Sequence, residues 1–64
     1  MLREGSVHRV ALDGENIEIH VLNILESGNY RCEMVSFKMN TSVICTIPRE
    51  QLERAVSTGI YRAA

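Results

Sequence analysis

Tryptophan is absent from this sequence, proline occurs once (Pro48), lysine once (Lys38), and cysteine twice (Cys32 and Cys45). Two thiols are too few for the disulfide framework of a small stapled scaffold. No apolar run approaches the roughly twenty residues that a membrane-crossing helix needs. Met1-Leu2-Arg3-Glu4-Gly5 lacks the basic start and apolar stretch of a signal peptide, so a cytoplasmic location with no membrane partner is expected. Charge of one sign is missing too. Seven Lys and Arg against eight Asp and Glu leave a net charge of −1, which argues against a general polyanion binder. Gly5, Gly14, Gly28 and Gly59 are isolated, so no loop cradles a phosphate and no small-molecule ligand is indicated. Ser6, Ser27, Ser36, Ser42 and Ser57 lie outside any nucleophile elbow. His8 and His20 have no Cys or carboxylate cluster at ligand spacing, so no metal or cofactor is expected. No catalytic constellation remains, and the chain is expected not to be an enzyme.

What is present is a soluble composition, 45% apolar and 23% charged, which suits a packed globule and not a disordered chain. One domain over 1–64 is expected, with loose ends at 1–5 and 61–64. This size is near the lower limit for folding without staples. The cost of ordering the chain then nearly cancels the return from burying its apolar area, so a partner that covers further apolar surface would matter to stability. The charges divide unevenly: residues 1–33 carry net −3, and residues 34–64 carry net +2.

The chain is organised around Pro48. Before it, Val43, Cys45 and Ile47 alternate with Ser42, Ile44 and Thr46, the period of a strand. After it, Leu52, Ala55, Val56 and Ile60 fall at steps of three and four, one stripe of a helix. Proline fits the first helical turn because its missing N–H has no partner there in any case. Glu50 and Glu53 lie near the helix start, as the dipole favours, and Gly59 is a suitable stop.

Asp13-Gly14 is the strongest hairpin signal, since both residues tolerate the positive φ of a type I′ turn. Strands over 6–12 and 15–24 then pair with Leu12 opposite Glu15, Val10 opposite Ile17, His8 opposite Ile19 and Arg9 opposite Glu18. Apolar meets apolar on one face, and an ion pair forms on the other. Glu26-Ser27-Gly28-Asn29 is a second turn and Asn40-Thr41 a third, with a strand over 30–39 between them. The expected fold is α+β: a four-stranded antiparallel meander with one C-terminal helix packed on one face.

One helix covers one face. Val10, Leu12, Ile17, Ile19, Val21, Met34, Cys45 and Ile47 are assigned to it with Leu52, Ala55 and Val56. The outer face then receives Leu22, Ile24, Val35, Phe37 and Ile44. Two readings stay open. A bulge near Val35-Ser36 turns Phe37 and Met39 inward beneath a coiled sheet, or the outer apolar face stays exposed for association. The same register puts His8 and His20 on opposite faces, with His8 half-buried and His20 solvated. Pairing Met39 with Ser42 sets Cys45 opposite Ser36 and leaves Cys32 on the order of 13 Å away, beyond a disulfide's reach. Both cysteines then read as small buried thiols. Glu50 and Glu53 read as a solvated helix face.

Val35-Ser36-Phe37, then Val43-Ile44-Cys45-Thr46-Ile47 and Glu50-Gln51-Leu52, resemble small bacterial domains of unknown function in which a V-x-C-x-I strand runs into a helix with Glu and Leu. The likeness covers about a third of the chain and leaves residues 1–30 unmatched. It implies a small prokaryotic or phage cytoplasmic protein and no site residues.

The function expected from these residues is that of a non-catalytic module that self-associates or docks on another protein through Leu22, Ile24, Val35, Phe37 and Ile44. Pairing along the edge of strand one or strand four is a second route. The alternative is a sheet that binds single-stranded nucleic acid, with Arg31, Lys38, Arg49 and Arg54 beside stacking rings of Phe37, Tyr30 and Tyr61.

Overall fold

The computed structural model describes residues 1–62. Strands β1 (Val7–Leu12), β2 (Glu15–Ile24), β3 (Tyr30–Ser36) and β4 (Thr41–Ile47) lead into helix α1 (Arg49–Thr58). The strands lie in chain order in one antiparallel sheet. The α+β meander expected from the sequence is the fold.

The first hairpin has the register that its turn dictates, Leu12 to Glu15 through Val7 to His20. Asp13 (φ 51°) and Gly14 (φ 78°) both take the positive φ that a type I′ turn demands. The strand-to-helix switch also falls at Pro48. Its carbonyl accepts the Leu52 N–H at 3.0 Å, and Gly59 ends the helix in the left-handed region at φ 78°. Proline supplies no capping side chain, and Asn29 of the β2–β3 turn does so instead. Its Oδ1 accepts the Arg49 N–H at 3.3 Å.

The core lies between the inner face of the sheet and α1: Val10, Ile17, Ile19, Val21, Tyr30, Cys32, Ile47, Leu52 and Ala55. Leu12, Met34, Cys45 and Val56 pack against it half-buried. The inner face read from alternation is thus largely the buried one.

Four details differ from the sequence reading. First, the bulge is in β2. Pairing steps from Val21–Cys32 to Asn23–Arg31, with Leu22 as the extra residue. The step reverses the parity of the rest of the strand, so Ile24 leaves the outer face, pairs with Tyr30 and packs against the core. Second, β3 stops at Ser36, and residues 37–40 form the turn. The Ser36 hydroxyl donates to the Glu15 carboxylate and accepts the Met39 N–H at 3.1 Å, while Asn40 takes φ 52°. A serine that turns the chain back on its own backbone ends the ladder there. Third, the earlier turn slides β4 along β3. Cys45 sits opposite Cys32, not Ser36, and Met39 pairs with nothing in β4. The slide is an even number of residues, so every β4 side chain keeps its expected face while changing its partner. Fourth, residues 1–5 are not loose. The Leu2 N–H donates to the Tyr30 hydroxyl at 3.0 Å, the Gly5 N–H to the Val21 carbonyl at 2.7 Å, and Glu4 accepts the Ile24 N–H at 3.0 Å. At the other end Tyr61 is tied to Ala11, its N–H donating to the Ala11 carbonyl at 2.8 Å. Residues 63 and 64 lie outside the described residues.

Candidate functional site

The two edges of the sheet are treated differently. On β1 the chain returns after the helix: the Ala11 N–H donates to the Gly59 carbonyl at 2.8 Å, and Ile60 forms a parallel bridge with Ala11. Arg9, in the same strand, adds a charge. On β4, Thr41-Ser42-Val43-Ile44-Cys45-Thr46-Ile47 has a neighbour on one side alone. Among the described residues nothing bonds to its outward N–H and C=O groups. The strand has no charge, no proline and no bulge, which are the devices that normally keep an edge from pairing with a second chain.

The side chains of β4 reinforce this. Val43 on the inner face is 57% exposed and Ile44 on the outer face is 59% exposed. Helix α1 crosses toward β1, reaching its edge at Gly59–Ile60, and leaves the far end of the inner face open. There Leu12, Ile17, Met34, Met39 and Val43 line a shallow apolar groove of about 330 Å³ beside the β3–β4 turn. A larger hollow, about 570 Å³, runs along the flank of α1 beside the returning chain, lined by Gln51, Arg54, Ala55, Thr58, Ile60 and Arg62 among others.

The five residues singled out for association are dispersed. Phe37 is 64% exposed, in the turn and not on a strand; Leu22 is 41% exposed, at the bulge; Val35 is half-buried; Ile24 is half-buried against the core. Ile44 alone of the five lies on the free edge. Among the described residues the outer face carries no continuous apolar patch, because its rows run Arg9–Glu18–Val35–Ser42 and Val7–His20–Glu33–Ile44 across the four strands. Arg9 bonds Glu18 within the first row at 3.2 Å, and His20 of the second row bonds the same carboxylate at 3.1 Å. The bond from Arg9 and then that from His20 hold the Glu18 carboxyl below the usual carboxylate range.

Residues assigned to stacking and phosphate contact do not gather either. Tyr30 is fully buried. Its hydroxyl donates to Glu53 at 2.6 Å while accepting the Leu2 N–H. Burial, then the Glu53 contact, raises its pKa. The Tyr30 hydrogen bond lowers the Glu53 pKa, with help from Arg49 at 3.3 Å. Glu53, expected on a solvated face, is therefore the anchor of a tyrosine and of the chain's first residues. Arg31 lies at the start of β3, and Phe37 and Lys38 lie beyond its end. Their separation is on the order of 20 Å along the strand.

His8 and His20 point to opposite faces, as their register requires. His8 meets the Ser6 hydroxyl at 2.8 Å. Among the described residues no three His, Cys, Asp or Glu side chains come together as a metal site. Among the described residues no helix is long and apolar enough to cross a membrane. Compared with family models, curated proteins and solved structures, the chain matches none.

Proposed function

We propose that the chain is a small non-catalytic interaction module that extends its sheet along β4, and that the strand it pairs with is β4 of a second copy. One observation carries the proposal: the seven residues of Thr41–Ile47 form an open, uncharged edge with exposed Val43 and Ile44, while the opposite edge is bonded to the returning chain at Ala11 and carries the charge of Arg9. An uncharged strand meets its own like without repulsion, so no different partner is needed to balance it. Antiparallel pairing about a two-fold axis at Ile44 sets Val43 against Cys45 and Ser42 against Thr46 of the second copy. Inner side chains then stay with inner side chains, and both apolar grooves open on the same side of one eight-stranded sheet. The shared edge is about 24 Å long at about 3.4 Å per residue. That is a small interface next to the roughly 800 Å² per partner of a standard one, so association is weak and depends on concentration.

Sedimentation equilibrium over a wide concentration range tests this. The chain should pass from monomer to dimer, and Ile44→Lys, which places two charges at the axis, should remain monomeric with an unchanged circular dichroism spectrum. A native chain that stays monomeric at millimolar concentration excludes self-pairing.

A further inference from the structure

The slide of β4 along β3 brings together two groups that the sequence reading kept apart. Cys32 and Cys45 are directly opposed residues of an antiparallel ladder, with side chains on the same inner face. Directly opposed residues have Cα atoms about 4.5 or about 5.5 Å apart, depending on the kind of pair. Disulfides accept Cα separations of roughly 4.4–6.8 Å, so either kind lies within reach without moving a strand. Both thiols are free. They differ in access: Cys32 is fully buried, and Cys45 is half-buried beside the free edge.

We infer that Cys32 and Cys45 are a modification site, a vicinal dithiol across two strands that a small-molecule disulfide oxidises to an intrachain cross-link. The difference in access sets the order of events. The Cys45 thiolate attacks the small disulfide, forming a mixed disulfide and releasing one small thiolate. The Cys32 thiolate then attacks the Cys45 sulfur, forming the Cys32–Cys45 bond and releasing the second. The two cysteine protons end on the two small thiols, so two thiols are oxidised and one external disulfide is reduced. Burial works against speed. It pushes the Cys32 thiol up to about 11, with a lesser push from Cys45, and raises Cys45 as well. Tyr61 packs against the same core, with Gln51 donating to its hydroxyl at 3.2 Å, and its own pKa is raised by burial and then by Cys45 and Cys32. The reaction is accordingly slow at neutral pH and accelerates as pH rises, because the thiolate is the attacking species. The cross-link closes a loop that contains the whole β3–β4 turn and fixes the register of the free edge. It does not depend on how that edge is used.

Oxidised glutathione is the probe, applied to the full chain under native conditions. The expected product has an intact mass lower by two hydrogens, no thiol open to alkylation after unfolding, and a monomeric position on a non-reducing gel. Its Tm should rise by on the order of 10 °C and return on reduction. Cys32→Ala should stop at a glutathione adduct on Cys45, and Cys45→Ala should leave Cys32 unmodified while folded. A native chain that stays reduced, halts at the glutathione adduct, or cross-links between chains overturns the inference, and none of those outcomes requires a variant to fold.

Discussion

The two ends of the sheet's inner face are built on different terms. At the end where β4 meets α1, Tyr30, Ile47 and Leu52 are sealed, and polar groups are matched: Leu2, Tyr30, Glu53 and Arg49 form one chain of bonds, and Asn29 holds the helix start. At the β3–β4 turn, Phe37, Met39 and Val43 are more than half exposed and the groove beside them is apolar. The difference teaches that one short helix can finish one end of a four-stranded sheet, and that stability and surface are handled by separate residues. Substitutions at the first end should unfold the molecule. Substitutions at the second should leave it folded and change what it meets.

The sharpest break is Leu52→Ala, which leaves a void where helix and sheet meet. Such truncations cost about 2–5 kcal/mol, and a domain of this size holds about 3–5 kcal/mol in all. Thermal melting by circular dichroism should find the variant largely unfolded at room temperature. Tyr30→Phe is the next largest. It keeps the ring but removes the acceptor of the Leu2 N–H and one of the partners of Glu53, a loss of about 0.5–1.5 kcal/mol that chemical denaturation should measure. A smaller effect comes from the depressed Glu53 pKa. A carboxyl held lower in the folded state than in the unfolded one adds stability above the ordinary carboxylate range. That contribution disappears as pH falls through the lower folded value. Lowering pH from about 6 to about 3 should therefore cost the native chain more Tm than it costs Glu53→Gln. The smallest effect belongs to the open end: Met39→Ser should shift stability by no more than about 0.5 kcal/mol, and an equal loss to that of Tyr30→Phe would erase the contrast between the two ends.

What could be read in the residues was what local chemistry decides. Asp13-Gly14 fixed the first register, and the change of period at Pro48 fixed the last strand and the helix. What escaped depends on side chains that act on distant backbone. Ser36 ends β3 through bonds to Glu15 and Met39, and Asn40 was legible as a turn residue but not as the last of four. The Leu22 bulge goes with an N-terminal segment that docks on Val21 and Ile24, and no pattern within 15–24 announces it. Glu53 had the look of any exposed helix acid until Tyr30, many residues earlier, was found beneath it. The free edge is an intermediate case. The uncharged run of β4 is plain in the sequence, whereas the covering of β1 by Gly59–Tyr61 is a tertiary contact.

That last contact limits growth. Strand-mediated assemblies elongate when each added subunit offers a fresh acceptor strand at its far side. Here the far side is interrupted by the chain's own return, which takes both backbone groups of Ala11. Two copies joined through β4 would meet the solution with borders interrupted at Ala11 and charged at Arg9, so the few residues after the helix would hinder the addition of a third copy.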